Sequence, residues 1–336
     1  MRNWFVVLLP LALLTTLSRG CWGQDERLIT EPGSKLLFAW PYGDLFVSTP
    51  AGNIDIPGPA GPIRVEGFAI PALSPDGGLI SIGLRLPDHT ARTQCDPSVV
   101  TCALPGTTQY MWVMGVYSLR EKGWKTYGDF CEAGSATFSP DGTKIAFEAG
   151  MRSAFQDCGA GKGALLILDL TSGQFTQVPN TAAVIPRAQI SWSPDGRYLA
   201  VESGRGSEDS ILLIEVGSWV QKTIAVGDDP SWSPKGDWIA YQIGAGMACM
   251  IVHPDGTGAK MVLDAFHRFG AWGIVSGAVW PPGERTILLN EQSEGASINV
   301  VSVDLETGKV KIIAKHTPFI FSWVRLPSNQ LPGAKK

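Results

Sequence analysis

Four histidines are spread along the chain, and three of them, His89, His267 and His316, stand in polar connections between apolar runs. Imidazoles that converge on one point can hold a metal ion or act as general bases. Arginine and tryptophan share those connections. Arg92 follows His89, Arg152 opens a second polar stretch, and "DAFHRFGAWGIVSG" (Asp264 to Gly277) carries His267, Arg268 and Trp272. Arginine and tryptophan are the side chains that most often anchor a partner at an interface. The spacing of these residues favours contact over catalysis. No GxSxG nucleophile elbow, P-loop or HExxH is present, and no dinucleotide fingerprint opens a helix. The expectation is no catalytic set, no metal and no cofactor. The weaker alternative gathers His89, His267 and His316 in one central site of a hydrolase or lyase.

Three aspartates recur in one motif, "SPDG", at Asp76, Asp141 and Asp195. Pro fixes φ at the first turn position, Asp bonds its own turn backbone, and Gly takes the positive φ. Their role is structural. "HPDGTG" (His253 to Gly258) is likewise a hairpin turn and lacks the acidic spacing of a calcium loop.

The chain has six cysteines. Cys95 and Cys102 share one polar loop and are candidates to close a small ring, and Cys131 and Cys158 are the next candidates. Cys249 sits in the apolar run "MACMIV" and reads as a buried free thiol. Disulfides fit an exported chain, and the N-terminus supplies an export signal. Arg2 is followed by the apolar "WFVVLLPLALLTTL" (Trp4 to Leu17), too short to span a membrane, and small residues precede Cys21. Residues 1–20 are therefore expected to be a signal peptide. The mature chain is expected to have no transmembrane segment and to work in the periplasm or outside the cell. "LSRGC" resembles a bacterial lipobox, with Ser18 and Arg19 departing from the pattern, which makes Cys21 a lipidation candidate.

The elements that must position these side chains are legible from repetition. Copies of one hairpin start at "ALSPDGGLISI", "TFSPDGTKIAF", "SWSPDGRYLAV" and "SWSPKGDWIAY", and a worn fifth copy reads "VWPPGERTILL". A second hairpin follows each, as in "ALLILDLTSGQFTQV" and "NVVSVDLETGKVKII". Four antiparallel strands repeated at this period are the mark of a β-propeller. "TEPGSKLLFAW" near the N-terminus lacks a first strand, and "FIFSW" (Phe319 to Trp323) supplies one at the other end. The prediction is an all-β, six-bladed propeller over residues 30–326, closed by a blade shared between the termini, with residues 327–336 as a flexible tail. Trp192, Trp232, Trp280 and Trp323 hold one repeat position and are expected to pack between blades. The connections between second and third strands, and between blades, emerge on one face. Leu86 to Tyr110, Gly150 to Gly163 and Asp264 to Gly277 all fall there.

The "WSPDGxxIAF" run resembles the TolB-like, WD40-like propeller family. The resemblance covers residues 30 to 326 and implies the fold. The separate N-terminal domain of TolB has no room before this propeller. Charged residues are 17% of the chain and its net charge is −4, so nucleic acid is not an expected partner. The functional expectation is a non-catalytic binding or scaffold module in the cell envelope. Its partner would be a protein, peptide or glycan held on the loop-bearing face by Arg92, Arg152, His267, Arg268 and Trp272.

Overall fold

The computed structural model describes residues 34–39, 44–59, 70–88, 109–150, 163–181, 189–204, 209–270, 273–281, 285–292 and 298–325. The described strands form six sheets of four, each antiparallel. Five blades follow one another along the chain. Their innermost strands are Ala72–Leu73, Glu132–Phe138, Ile190–Trp192, Asp228–Trp232 and Ile274–Val279. The sixth, closing blade takes its inner strand, Phe319–Arg325, from the C-terminal side and its other three, Ser34–Ala39, Leu45–Thr49 and Gly52–Asp55, from the N-terminal side. Leu36 pairs with Trp323 and Ala39 with Phe319, so the shared blade is a continuous sheet. This is the architecture expected from the repeat.

The repeat builds its turns as its composition demands. In the second blade the Ser139 hydroxyl donates to Asp141 Oδ1 at 2.6 Å, and Thr143 N donates to the same oxygen at 3.0 Å. Lys144 N donates to Ser139 Oγ at 2.9 Å. Gly142 closes the turn with φ 71°, a region where a side chain is strained. The third blade repeats the set at Ser193 and Asp195. The fourth copy has Lys235 where the others have Asp, and there Asp237 takes the Ser233 hydroxyl at 2.8 Å.

Six apolar layers hold the ring together, one between each pair of neighbouring blades. Ala146, Leu165 and Ile167 of the second blade pack with Trp192, Leu199 and Val201 of the third. Leu288 and Val300 of the fifth pack with Leu36, Phe38 and Ile320 of the closing blade. Trp192, Trp232 and Trp280 lie in these layers at 7% exposure each, and Trp323 packs against the last, as their shared position predicted. Among the described residues no helix is long and apolar enough to cross a membrane.

One expected boundary shifts. The hairpin at Leu86 extends beyond the expected loop start, with Leu86 paired to Met111 and Asp88 to Gln109. Backbone pairing in the first blade thus runs into what reads as a loop by composition.

Candidate functional site

Antiparallel pairing sorts the connections by face. The SPDG turns and the turns between third and fourth strands leave by one face. The connections between second and third strands, and those between blades, leave by the other. A central channel of about 1070 Å³ runs between the faces, lined by all six inner strands. Thr137, Ser191, Ser231 and Ser322 put hydroxyls around it at one repeat position. Two of these hydroxyls also tie neighbouring inner strands. Ser191 Oγ accepts from Trp232 N at 3.0 Å, and Ser322 Oγ accepts from Leu73 N at 3.4 Å. Pro75, Pro140, Pro194 and Pro234 of the tight turns surround the channel towards the other face.

Four carboxylates gather where the third and fourth blades meet on the loop-bearing face. Glu202 comes from the second strand of the third blade, Tyr198–Ser203, and Asp209 precedes its third strand, Ser210–Glu215. Asp228 and Asp229 begin the inner strand of the fourth. Asp229 also lines the channel. Its backbone N faces Glu202 Oε2 at 3.5 Å, its φ is 51°, and its carboxylate accepts from the Gly277 N–H of the fifth blade. Burial raises the Glu202 carboxyl to about 7, helped by the charges of Asp229, Asp228 and Asp209. Burial raises Asp228 to about 7, with Asp229 and Asp209 adding to it. Asp229 is raised to about 6 by burial, against the Gly277 hydrogen bond, and Asp209 is raised by burial.

The sequence reading passed over this group. Two signals were present: the doublet "GDDP" at Gly227 to Pro230, and a polar residue at one second-strand position in four consecutive blades, Glu148, Glu202, Gln242 and Asn290. Asn290 shows what the position does. Its Nδ2 donates to Ile320 O at 2.9 Å and its Oδ1 accepts from Ile320 N at 2.8 Å, across to the next inner strand.

The expected site residues are placed in part. His267 and Arg268 share the short helix Ala265–Phe269, which follows an Asp264 cap inside the expected Asp264 to Gly277 connection. His267 Nδ1 lies 2.6 Å from Asp264 Oδ2. Arg268 Nη2 donates to Val310 O at 3.2 Å, and its guanidinium lies 5.9 Å from the Phe269 ring centre. His316 stands in the next connection between blades, with φ 53° and its backbone N donating to Asn299 Oδ1 at 3.3 Å. Cys21, His89, Arg92, Cys95, Cys102, Arg152, Cys158 and Trp272 lie outside the described residues. Among the described residues no three histidine, cysteine, aspartate or glutamate side chains form a group able to hold a metal ion. Cys131 is disulfide-bonded, to a partner outside the described residues. Cys249 is a buried free thiol, raised to about 12 by burial.

No family model matches the chain, and no curated protein matches it by sequence. Solved structures match by shape. TolB from Acinetobacter baumannii superposes with a TM-score of 0.61 at 15% identity over 87% of this chain, which spans 66% of that protein. A protein described as a TolB from Agrobacterium tumefaciens gives 0.56 at 16% identity, covering 88% of this chain and 99% of its own. A chain of a nidogen/laminin complex gives 0.59 at 11% identity, with 88% and 99% covered. At such identities the likeness is one of fold. The chain is a six-bladed β-propeller of the TolB-like fold.

Proposed function

We propose that this propeller is an exported, non-catalytic binding module of the cell envelope that takes its partner on the loop-bearing face. The observation that carries the reading is the difference between the two faces. One is made of tight turns in which Ser and Asp side chains bond the turn's own backbone. The other carries the inserted connections, the helix with His267 and Arg268, and a carboxylate group on which no cation acts among the described residues. Loops on a rigid scaffold are where binding residues concentrate. The apolar leader over residues 1–20 supports export to the periplasm or beyond, with Cys21 as the point of an optional lipid anchor. A Cys131–Cys158 bridge would brace the same face. The partner class is an envelope protein, peptide or glycan.

The test is affinity purification of the tagged mature protein from its own envelope after crosslinking, beside a variant with Arg152, His267 and Arg268 replaced by alanine. One partner recovered by the wild type and lost by a variant of unchanged melting temperature supports the reading. Equal recovery by both rejects the assignment to those residues.

One observation favours a second reading, a channel enzyme. Glu202 and Asp228, raised to about 7 beside the channel-lining Asp229, suit a general acid at neutral pH. In its metal-dependent form the site would draw on His89, His267 and His316. A purified protein with less than stoichiometric metal under non-chelating conditions removes that form. A hydrolase and lyase substrate panel with no turnover removes the rest.

A further inference from the structure

The carboxylate group has an apolar neighbour. Met247, Phe266 and Ile274 are 46%, 43% and 38% exposed, large apolar side chains on the same face. The backbone segments that carry them adjoin. The backbone N–H groups of Ala265 and Phe266 donate to Met247 O at 2.8 and 3.2 Å, and Val275 N donates to Gly246 O at 2.8 Å. They also stand beside the acids. Asp228 pairs with Gln242, Gln242 with Cys249, and Met247 immediately precedes the strand that holds Cys249. Two strand spacings across and two residues along separate Asp228 from Met247, about 12 Å.

The acids lack a counter-charge among the described residues. Every charge that acts on Glu202 or Asp228 there is another carboxylate. Arg205 and Glu208, in the intervening connection, lie outside the described residues. Gln242 adds a second sign. It is 2% exposed, and its Nε2, a donor, has no hydrogen-bond partner, so it calls for an acceptor such as a backbone carbonyl of an extended segment. Glu202 and Asn290 hold the equivalent position in the blades on either side, and both reach the next inner strand, at Asp229 and Ile320. The equivalent target for Gln242 is the stretch around Gly277, where the Asp229 carboxylate ends. Like charges held together out of water are stabilised by a cation brought to them. Arg268 does not serve, since its guanidinium turns to Val310 on the outer side of the fifth blade.

Deepening the loop-face reading, on which it rests, we infer that the surface over the third to fifth blades docks an extended, cationic segment of a partner protein. A lysine or arginine of that segment enters the notch of Glu202, Asp228 and Asp229. An apolar side chain two to four residues away covers Met247, Phe266 and Ile274. The spacing follows from about 3.3 Å per extended residue plus the reach of a long basic side chain. A small cation would leave the apolar patch unused, and a purely apolar segment would leave the carboxylates exposed to one another.

The probe is a random dodecapeptide library displayed on phage, panned on the purified protein at about pH 8. Enriched peptides are then made with a fluorescent label and titrated by anisotropy. Enrichment of Lys or Arg two to four positions from Leu, Ile, Met, Phe or Trp is expected. Glu202→Gln with Asp228→Asn, and separately Met247→Ser with Phe266→Ser, each weaken binding about tenfold or more. The acid variant without peptide melts at or above the wild-type temperature, because it removes like-charge repulsion. A lower melting temperature would mean that the cluster is satisfied from within, and would overturn the inference. So would enrichment of acidic peptides, or no enrichment. Loss on the apolar variant alone overturns the cationic partner and leaves the loop face standing. Loss only on turn-face variants, such as Thr143→Arg, overturns the loop face as well.

Discussion

Glu202 and Asp228 keep protons in the folded chain at pH values where the unfolded chain has released them. Their raised pKa values make stability fall as pH rises from about 4 through about 7. Removing both charges should therefore raise the melting temperature by a few degrees at about pH 8 and change it little at about pH 4, which a thermal scan in matched buffers checks. The turn aspartates act in the opposite sense. Asp141 is lowered to about 2, first by the Ser139 hydroxyl and then by the Thr143 backbone, so its contribution is present above about 4 and lost as pH falls through about 2. Asp195→Ala removes the acceptor of the Ser193 hydroxyl and of Arg197 N. It should cost about 1 kcal/mol in a denaturant titration at neutral pH, with binding unchanged. The two kinds of acid differ in how they can be read. Asp141 and Asp195 act within five residues of chain, so their role was legible from "SPDG". Glu202 and Asp228 belong to different blades, and no local pattern joins them.

At the scale of strands and blades, the join between neighbours is polar at the inner strand and apolar further out. Asn290 is the clearest polar link, meeting both backbone groups of Ile320 while 2% exposed. Asn290→Leu leaves that N–H and C=O buried without partners and should cost about 2–4 kcal/mol in the same titration. Gly83 marks a close approach of the first and second blades. A Cβ there would lie 2.1 Å from the Ala133 carbonyl oxygen. Gly83→Ala must push the blades apart, with an expected loss of about 1–3 kcal/mol. The inter-blade role of the tryptophans was legible because Trp192, Trp232, Trp280 and Trp323 share a repeat position. The role of Asn290 was not, because Glu148, Glu202 and Gln242 differ in type at its equivalents and repetition hides behind chemistry.

On the scale of the whole molecule, the ring is closed by pairing a C-terminal strand with an N-terminal one. Lys35 Nζ then donates to Gly77 O of the first blade at 2.6 Å, joining the closing blade to its neighbour. The unpaired fragment "FIFSW" and the missing first strand near the N-terminus made this legible. Which face carries the longer connections was legible from their lengths. The carboxylate group and the patch of Met247, Phe266 and Ile274 were not, because a ring brings together residues that local sequence keeps apart. The central claim is that the partner sits on that face. The most direct test places a photo-crosslinking amino acid at Phe266 on the loop-bearing face and, separately, at Thr143 in a tight turn, and irradiates cells producing each variant. The account predicts a discrete adduct from position 266 and none from position 143. An adduct from 143 alone, or equally from both, would contradict it.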